Sequence, residues 1–382
     1  MKILLRLLAI FTLCILLLIV WVYGSGNTHL IRAVKATYLS GHRTANIDDH
    51  SGFDTKVIRS ANPTQLGKHE SFSSQPASEA LQHYFDRDNA IAYVALKDGL
   101  VAREQYFDGY NDRSKTNSFS MAKTVTTLLM GIMIDEGIIE SVDQPILDFF
   151  PELSDQALAS DVTLGNLSAM DSGYAWDENY YNAFSPTVKL YFGPDVVDYV
   201  LDGEFDKPAG TYFYYSSAST QLLGAALNRA LAAAGLDYGV AEYLSKKLWT
   251  PMQMNDDALW HTDAKGNELT YCCINTNARN FAKLGQLMLQ QGQWNGEQLI
   301  SADYIQAMVT PGLVDYYGLS TWLNWEHQPG YYWFSGHLGQ YIVVVPEQNL
   351  VVVALNASRK VPVLGDSYIP TLVTETLRAL SE

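Results

Sequence analysis

Residues 118–124 read Ser-Phe-Ser-Met-Ala-Lys-Thr and follow a loop that is rich in Ser, Thr and Asn. Apolar residues then recur at helical spacing, which predicts a helix from about Phe119 to Glu136. Ser120 and Lys123 lie three positions apart, so that on a helix they share one face and the ammonium can reach the hydroxyl. A buried lysine can act as a base near neutral pH, and the free N–H groups of a helix N-terminus favour a developing oxyanion. The stretch therefore predicts a nucleophilic serine; the alternative is a helix start with a surface lysine.

Strands are predicted near both ends of the chain. Ile91–Leu96 and Leu100–Phe107 are β-rich and flank Asp98-Gly99, a pair typical of a hairpin turn. Tyr341–Val345 and Leu350–Leu355 are apolar runs on either side of a second turn. Both pairs of runs predict antiparallel hairpins.

The segment between these hairpins is mainly helical in pattern. Helical spacing dominates from about Leu164 to Leu248, most clearly at Thr220–Ala234, and further helices are predicted at Ala278–Gln290 and Thr371–Leu380. This order predicts an α/β (α+β) fold in which helices flank an antiparallel sheet built from both chain ends. A mainly helical lobe is inserted at roughly residues 150–250.

The N-terminus has the pattern of an export signal. Lys2 and Arg6 precede an uncharged apolar run from Leu7 to Tyr23, which favours an uncleaved signal anchor at residues 1–27 over a cleaved signal peptide or a buried core helix. The anchor predicts a single pass through the inner (cytoplasmic) membrane with the catalytic domain on the periplasmic side; a cleaved signal predicts secretion to the periplasm. Residues 28–76 are polar and irregular, and they are predicted to be a tether and lead-in to a catalytic domain at 77–382.

Composition limits the possible functions. The chain has 382 residues, 48% of them hydrophobic, which suffices for one large domain or two lobes. Its formal net charge of −16 argues against nucleic acid as a partner. The eight histidines are scattered, so no metal is expected, and no other cofactor is expected either. The Gly-x-Ser-x-Gly motif of Ser-His-Asp hydrolases is absent. Cys272 and Cys273 are adjacent and are expected not to bridge each other.

Two further motifs complete a family pattern. Residues 214–217 read Tyr-Tyr-Ser-Ser and lead into Gln-Leu-Leu-Gly at 221–224, and residues 335–340 read Ser-Gly-His-Leu-Gly-Gln. Together with residues 118–124 they resemble the serine β-lactamase and penicillin-binding-protein superfamily. The similarity is greatest to its class C-like branch, which includes esterases and 6-aminohexanoate-dimer hydrolases. The resemblance covers roughly residues 90–380.

The resemblance implies roles for the residues of the first two motifs. Ser120 takes the place of the acylated nucleophile and Lys123 that of its proton acceptor. Tyr215 takes the place of the tyrosine whose phenol passes a proton to the leaving group if its pKa falls beside Lys123. Ser217 stands where many members have an Asn that orients substrate. That departure puts β-lactamase activity in doubt more than hydrolysis itself.

The third motif admits two registers. If Phe334-Ser335-Gly336 takes the place of the family's Lys-Thr-Gly, the backbone N–H of His337 completes the oxyanion hole with that of Ser120. If residues 337–339 take that place, the donor is Gln340. We favour the first register, because residues 339–341 then lead directly into the strand; His337 is otherwise a structural histidine.

The remaining candidate residues are those expected to contact substrate. They are Tyr174, Tyr180, Ser217, Gly336 and Gln340. Tyr174 and Tyr180 follow a loop similar to the family's Leu-Leu-x-Met-x-Ser-Gly loop. Alternatively, these two tyrosines pack within an aromatic-rich lobe.

The resemblance implies a hydrolase that forms an acyl-enzyme on Ser120. We expect a small amide or ester substrate, with 6-aminohexanoate oligomers as the family's named example. A peptidoglycan D,D-peptidase or a β-lactamase is the alternative, and a non-turnover acylated sensor or binding scaffold is a rival of another class. The expected partners are thus a small-molecule substrate and, through the N-terminal segment, the membrane; the oligomeric state is left open.

Overall fold

The computed structural model describes residues 2–42, 44–74, 77–359 and 368–381. The strands are β1 Asp54–Ile58, β2 Lys68–Ser73, β3 Ala90–Lys97, β4 Leu100–Tyr106, β5 Thr116–Asn117, β6 Ala258–Thr262, β7 Ile274–Thr276, β8 Gln293–Trp294, β9 Glu297–Gln298, β10 Trp322–Asn324, β11 Tyr331–Gly336, β12 Gln340–Val345 and β13 Leu350–Asn356. The α-helices are α1 Lys2–Gly24, α2 His29–Ala36, α3 Glu79–Asp88, α4 Met121–Asp135, α5 Leu164–Ala169, α6 Pro186–Phe192, α7 Val196–Leu201, α8 Ser217–Ala233, α9 Val240–Leu244, α10 Ala278–Leu289, α11 Ala302–Met308 and α12 Tyr368–Ser381.

A seven-stranded sheet joins the two ends of the chain. Its order is β10-β11-β12-β13-β3-β4-β2, and β13 pairs antiparallel with β3. Every residue of β12 and β13 is buried, because α10 covers one face of the sheet while α3 and α12 cover the other. The predicted mixed fold, with its antiparallel sheet from both chain ends, is confirmed. The structure has two features that were not predicted. β2 and β4 pair in parallel, and a separate four-stranded sheet has the order β1-β6-β7-β5.

The helix that carries the first motif runs through the middle of the molecule. Every side chain of α4 from Met121 to Met133 is buried, although an amphipathic surface helix would alternate buried and exposed faces. Gly131 permits the close packing of α4, because a Cβ at this position would lie 2.3 Å from the ring of Tyr304. The N-terminus of α4 is therefore fixed by packing on all sides, which is a rigid support for a reactive side chain.

The segment expected to be an irregular tether is largely ordered. It contains α2, β1 and β2, and β1 pairs with β6 in the smaller sheet. His29 Nε2 lies 2.9 Å from the Ala183 carbonyl oxygen, and Arg32 donates to the carbonyl of Thr262 at 3.0 Å. These partners lie more than 150 positions away in the sequence, so local composition does not reveal them.

The first helix stands apart from the rest of the fold. α1 has 23 residues and a mean hydropathy of 3.0 over its most apolar window, and nearly all its side chains are exposed. At 1.5 Å per residue it is about 35 Å long, which exceeds the hydrocarbon thickness of a bilayer, about 30 Å. It is long and apolar enough to cross a membrane, as both a signal anchor and a signal peptide would be.

Candidate active site

Ser120 stands at the N-terminus of α4, directly after a strained residue. Phe119 has a φ of 43°, a left-handed conformation that costs free energy for a bulky side chain. Two hydrogen bonds hold this turn: Phe119 N–H donates to Asn117 Oδ1 at 2.8 Å, and Ile274 N–H donates to Ser118 Oγ at 3.0 Å. The turn places the Ser120 side chain in a cavity of about 200 Å³.

Lys123 lies below Ser120 and is almost completely buried, with 1% of its surface exposed. Its Nζ donates to Ser120 Oγ at 3.2 Å, to Ser217 Oγ at 3.1 Å and to the Tyr271 carbonyl at 3.1 Å. Burial lowers the pKa of Lys123 to about 8, while the negative charge of Glu178 opposes that shift. A sizeable fraction of the amine is therefore neutral near physiological pH and can accept the Ser120 proton.

Tyr215 also faces this amine. Lys123 Nζ lies 4.9 Å from the centre of the Tyr215 ring, which stacks against Trp322 on its other side. Burial raises the pKa of Tyr215 well above its ordinary value, the Glu178 charge adds to this, and a hydrogen bond with Ser120 opposes it. The expected fall of this pKa beside Lys123 is not found, because burial and the Glu178 charge outweigh the hydrogen bond with Ser120. The phenol keeps its proton and is suited to donate it.

Ser217 takes the place of the Asn of the second motif and connects Lys123 to Glu178. Its Oγ accepts from Lys123 and donates to Glu178 Oε1 at 2.6 Å, and its backbone N–H donates to Glu178 Oε2 at 2.8 Å. Glu178 also accepts from Trp176 Nε1 at 2.6 Å and from the Tyr180 hydroxyl at 2.7 Å. This carboxylate therefore fixes Ser217 and orients Tyr180.

Sequence reasoning did not assign a role to Glu178 or to Tyr271. Glu178 stood in an Asp-Glu-Asn-Tyr stretch after the loop that resembles the family, which was its only signal. Tyr271 contributes its carbonyl to Lys123 and its ring to the cavity. Within the described ranges its buried hydroxyl has no hydrogen-bond partner, so it is available to a substrate.

The third motif forms the opposite wall of the cavity. β11 ends at Gly336, where a Cβ would lie 2.2 Å from the Ser118 carbonyl oxygen, so only glycine lets the strand approach the nucleophile loop this closely. The ring of His337 lines the cavity and stacks on Tyr180 at 4.9 Å. Burial lowers the pKa of His337 to about 4, so the ring is neutral at neutral pH.

Gln340 and Tyr174, two of the predicted substrate contacts, lie outside this cavity. Gln340 is fully buried and donates to the carbonyl of Asn356 at 2.7 Å, which fastens β12 to β13. The Tyr174 hydroxyl donates to the Val200 carbonyl at 2.8 Å, and its ring packs edge-on against Phe205. Both side chains are held by structural partners and do not line the cavity.

The two adjacent cysteines form a disulfide, contrary to the expectation. In an extended chain neighbouring side chains point to opposite sides, but Cys273 has a φ of 77°, which breaks this alternation. Cys272 contributes to the cavity wall directly after Tyr271. Across the described ranges, no group of three His, Cys, Asp or Glu side chains is arranged to hold a metal ion.

Comparison with known proteins identifies the family. Residues 81–368 match the family model described as Beta-lactamase. The chain belongs to the beta-lactamase family. The predicted superfamily and the predicted class of enzyme, a serine hydrolase, are thereby confirmed.

A curated relative and two solved structures show how far the similarity extends. The 6-aminohexanoate-dimer hydrolase of Paenarthrobacter ureafaciens is 26% identical over 235 residues, which span 58% of this chain and only 57% of that relative. A candidate 6-aminohexanoate-dimer hydrolase from Bacillus anthracis superposes with a TM-score of 0.73 at 18% identity, covering 86% of this chain and 90% of that one. A family VIII carboxylesterase gives a TM-score of 0.60 at 15% identity, covering 85% and 100%. The two structures establish a shared fold.

The buried Lys123 amine predicts how the rate of hydrolysis depends on pH. If Lys123 must be neutral to accept the Ser120 proton, kcat/KM for a neutral ester will be low below pH 7 and will rise through a pKa of about 8. The profile is measured with an ester that has no titratable group. A rate that is independent of pH between 6 and 9 would contradict a lysine base.

Glu178 provides a matched test of the same group. Because its negative charge raises the pKa of Lys123, Glu178→Gln should move the rising limb of the profile to lower pH. The amide keeps one acceptor oxygen for Ser217 in place of the two that Glu178 offers. The control is Glu152→Gln, which removes an exposed carboxylate that pairs with Arg229 and should leave the limb in place. A limb that does not move in Glu178→Gln would show that Glu178 has no electrostatic influence on the base.

Proposed function

We propose that this chain hydrolyses small, uncharged esters or amides through an acyl-enzyme on Ser120. The observation that carries the proposal is the 3.2 Å contact between Ser120 Oγ and the buried Lys123 Nζ, whose pKa is lowered to about 8. This pair supplies a nucleophile and a base at one helix N-terminus.

The reaction then follows from the positions of the remaining groups. Lys123 takes the Ser120 proton as Oγ attacks the carbonyl carbon, and the N–H groups of Ser120 and His337 bind the oxyanion. As the tetrahedral intermediate collapses, the Tyr215 phenol gives its proton to the leaving oxygen or nitrogen and regains one from Lys123. Water releases the acyl group by the same steps in reverse, which restores Ser120.

The wall of the cavity argues for an uncharged substrate. Its described lining residues include aromatic, small and hydroxyl side chains but no Lys or Arg, and the His337 ring is neutral. Penicillins and D-Ala-D-Ala peptides carry a carboxylate, whose burial without a cation is costly. This favours an ester or amide hydrolase over a D,D-peptidase or β-lactamase. The name of the Paenarthrobacter relative supports including amides.

We further propose that α1 is an uncleaved anchor and that the catalytic domain lies outside the inner membrane. Lys2 and Arg6 precede the apolar run, and no Lys or Arg follows before Arg32, which fits a cytoplasmic N-terminus. Contact of the end of α1 with the domain supports an uncleaved α1, because the Trp21 ring lies 6.4 Å from the Phe184 ring and Val22 is buried.

Labelling tests the nucleophile. Ser120→Ala should abolish covalent labelling by a fluorophosphonate and lower ester hydrolysis by at least about 1,000-fold, because no other group supplies the attacking oxygen. Ser160→Ala, a change at an exposed serine, should label like the unaltered chain. Labelling that survives in Ser120→Ala would remove Ser120 from this role, and labelling without turnover in the unaltered chain would indicate an acylated sensor.

The leaving group distinguishes Tyr215 from Lys123. Lys123→Ala should slow both amides and activated esters by at least about 100-fold, because each requires the Ser120 nucleophile. Tyr215→Phe should slow amides by a similar factor and spare nitrophenyl esters, whose leaving group needs no proton. Tyr214→Phe is the control, since Tyr214 lines a different cavity and stacks on Tyr212. Unchanged amide hydrolysis in Tyr215→Phe would rule out this tyrosine as the proton donor.

A further inference from the structure

The mouth of the Ser120 cavity has an apolar rim. Ala33 on α2 and Thr37 directly after it line the cavity, while Ile31 and Val34 on α2 are exposed. The exposed apolar residues continue through Tyr38 and Leu39 in the turn after the helix. On the far side of the mouth lie Tyr181 and Phe184. We call these six residues, Ile31, Val34, Tyr38, Leu39, Tyr181 and Phe184, the apolar rim.

The rim is exposed, and both of its sides reach the cavity. Its six side chains are between 45% and 78% exposed, far more than is usual for large apolar residues. Tyr38 and Tyr181 both line the cavity, so each side of the rim borders it. The His29 contact with the Ala183 carbonyl fastens α2 to the loop that carries Tyr181 and Phe184. Such a patch beside a ligand cavity marks a surface that contacts an apolar partner.

The anchor identifies this partner as the bilayer. The Trp21 ring, near the end of α1, lies 6.4 Å from the Phe184 ring, and Val22 is buried. Only residues 25–28 separate α1 from α2, a distance of at most about 14 Å even when extended. If α1 spans the membrane, its C-terminal end is at the outer interface, and the rim lies there too. The tyrosines of the rim suit this depth, where aromatic side chains are enriched.

The distribution of charge agrees with a lipid surface. Residues 25–47, which would lie outside the membrane, contain three Lys or Arg and no Asp or Glu, although the whole chain has a net charge of −16. Lys35, next to Val34, is exposed beside the exposed apolar residues of α2. An acidic domain would be repelled by anionic lipids, but the part that carries the rim is locally basic and is attracted to them.

We propose that the apolar rim rests on the outer surface of the bilayer crossed by α1, so that the Ser120 cavity opens at the membrane interface and takes amphiphilic esters or amides from the lipid phase. This inference rests on the proposed hydrolase function and specifies its substrate class. An uncharged, apolar lining suits an acyl chain or another apolar group that leaves the bilayer through the rim. The reacting carbonyl then sits at Ser120 while the polar part of the amphiphile stays near the interface.

The test uses the full chain in vesicles of phosphatidylcholine with a minor fraction of phosphatidylglycerol. Two esters are compared, water-soluble nitrophenyl acetate and a nitrophenyl ester of a long fatty acid dissolved in the same vesicles. The double variant Val34→Glu with Leu39→Glu should hydrolyse the acetate within about 2-fold of the unaltered chain but the lipid ester at least about 10-fold more slowly, because charged side chains disfavour the interface. Leu100→Glu, at an exposed apolar residue on β4, is the matched control and should affect neither ester.

Hydrogen exchange gives a readout that does not need catalysis. Peptides covering residues 29–40 and 181–184 should exchange more slowly in the unaltered chain than in the double variant when both are in vesicles. Leu39→Ser provides the same comparison with a smaller change at a highly exposed position, should the double variant fold poorly. Equal exchange, or equal hydrolysis of the lipid ester, in the unaltered chain and both variants would overturn the proposal. If the unaltered chain hydrolyses neither ester, the proposed function fails, and slower exchange would then support contact of the rim with lipid alone.

Discussion

The proposed active site depends on keeping one ammonium group out of water. Lys123 is surrounded by acceptors from three parts of the chain: Ser120 on α4, Ser217 on α8 and the carbonyl of Tyr271 in the loop before β7. Too little shielding would leave the amine protonated, and too few acceptors would make its burial prohibitive. The three neutral partners satisfy the amine without adding a full charge in contact with it. The packing of α4 on every side keeps the Lys123 amine both shielded from water and within reach of its three acceptors.

Glu178 shows how the site tolerates a serine in place of the family's asparagine. An asparagine side chain both accepts and donates through separate atoms, whereas Ser217 must do both through one hydroxyl. The hydroxyl accepts from Lys123 and passes its own hydrogen to Glu178, which fixes its direction. The same carboxylate holds Tyr180 against His337, so that the base and the far wall of the cavity are positioned by one group.

Turns and helices, which depend on neighbouring residues in the sequence, were predictable, whereas the side-chain partners that lie far apart in the sequence were not. The hairpin at Asp98-Gly99 and the helix after Ser120 follow from turn chemistry and periodicity, and both are present. Glu178 meets Ser217 across 39 positions, and α2 is held by carbonyls more than 150 positions away, so neither has a local signal. Gln340 shows that a motif position does not reveal the partner of a side chain: its place predicted substrate contact, and in the structure it donates to the Asn356 carbonyl of the neighbouring strand. Motif order identified the family, whereas the partners of each side chain required the fold.

The ordered segment between α1 and the catalytic domain links the position of the cavity to that of the N-terminal helix. The sequence had suggested that the two were independent. A flexible tether would let the domain tumble freely outside the membrane, and the direction of the cavity would then be independent of the anchor. Here α2 begins five residues after α1 ends and lines the cavity through Ala33, as does Thr37 directly after the helix. The four residues between α1 and α2 leave little freedom of orientation. Under the proposed topology the cavity mouth must therefore stay close to the lipid surface, so that the fold itself restricts which substrates reach Ser120.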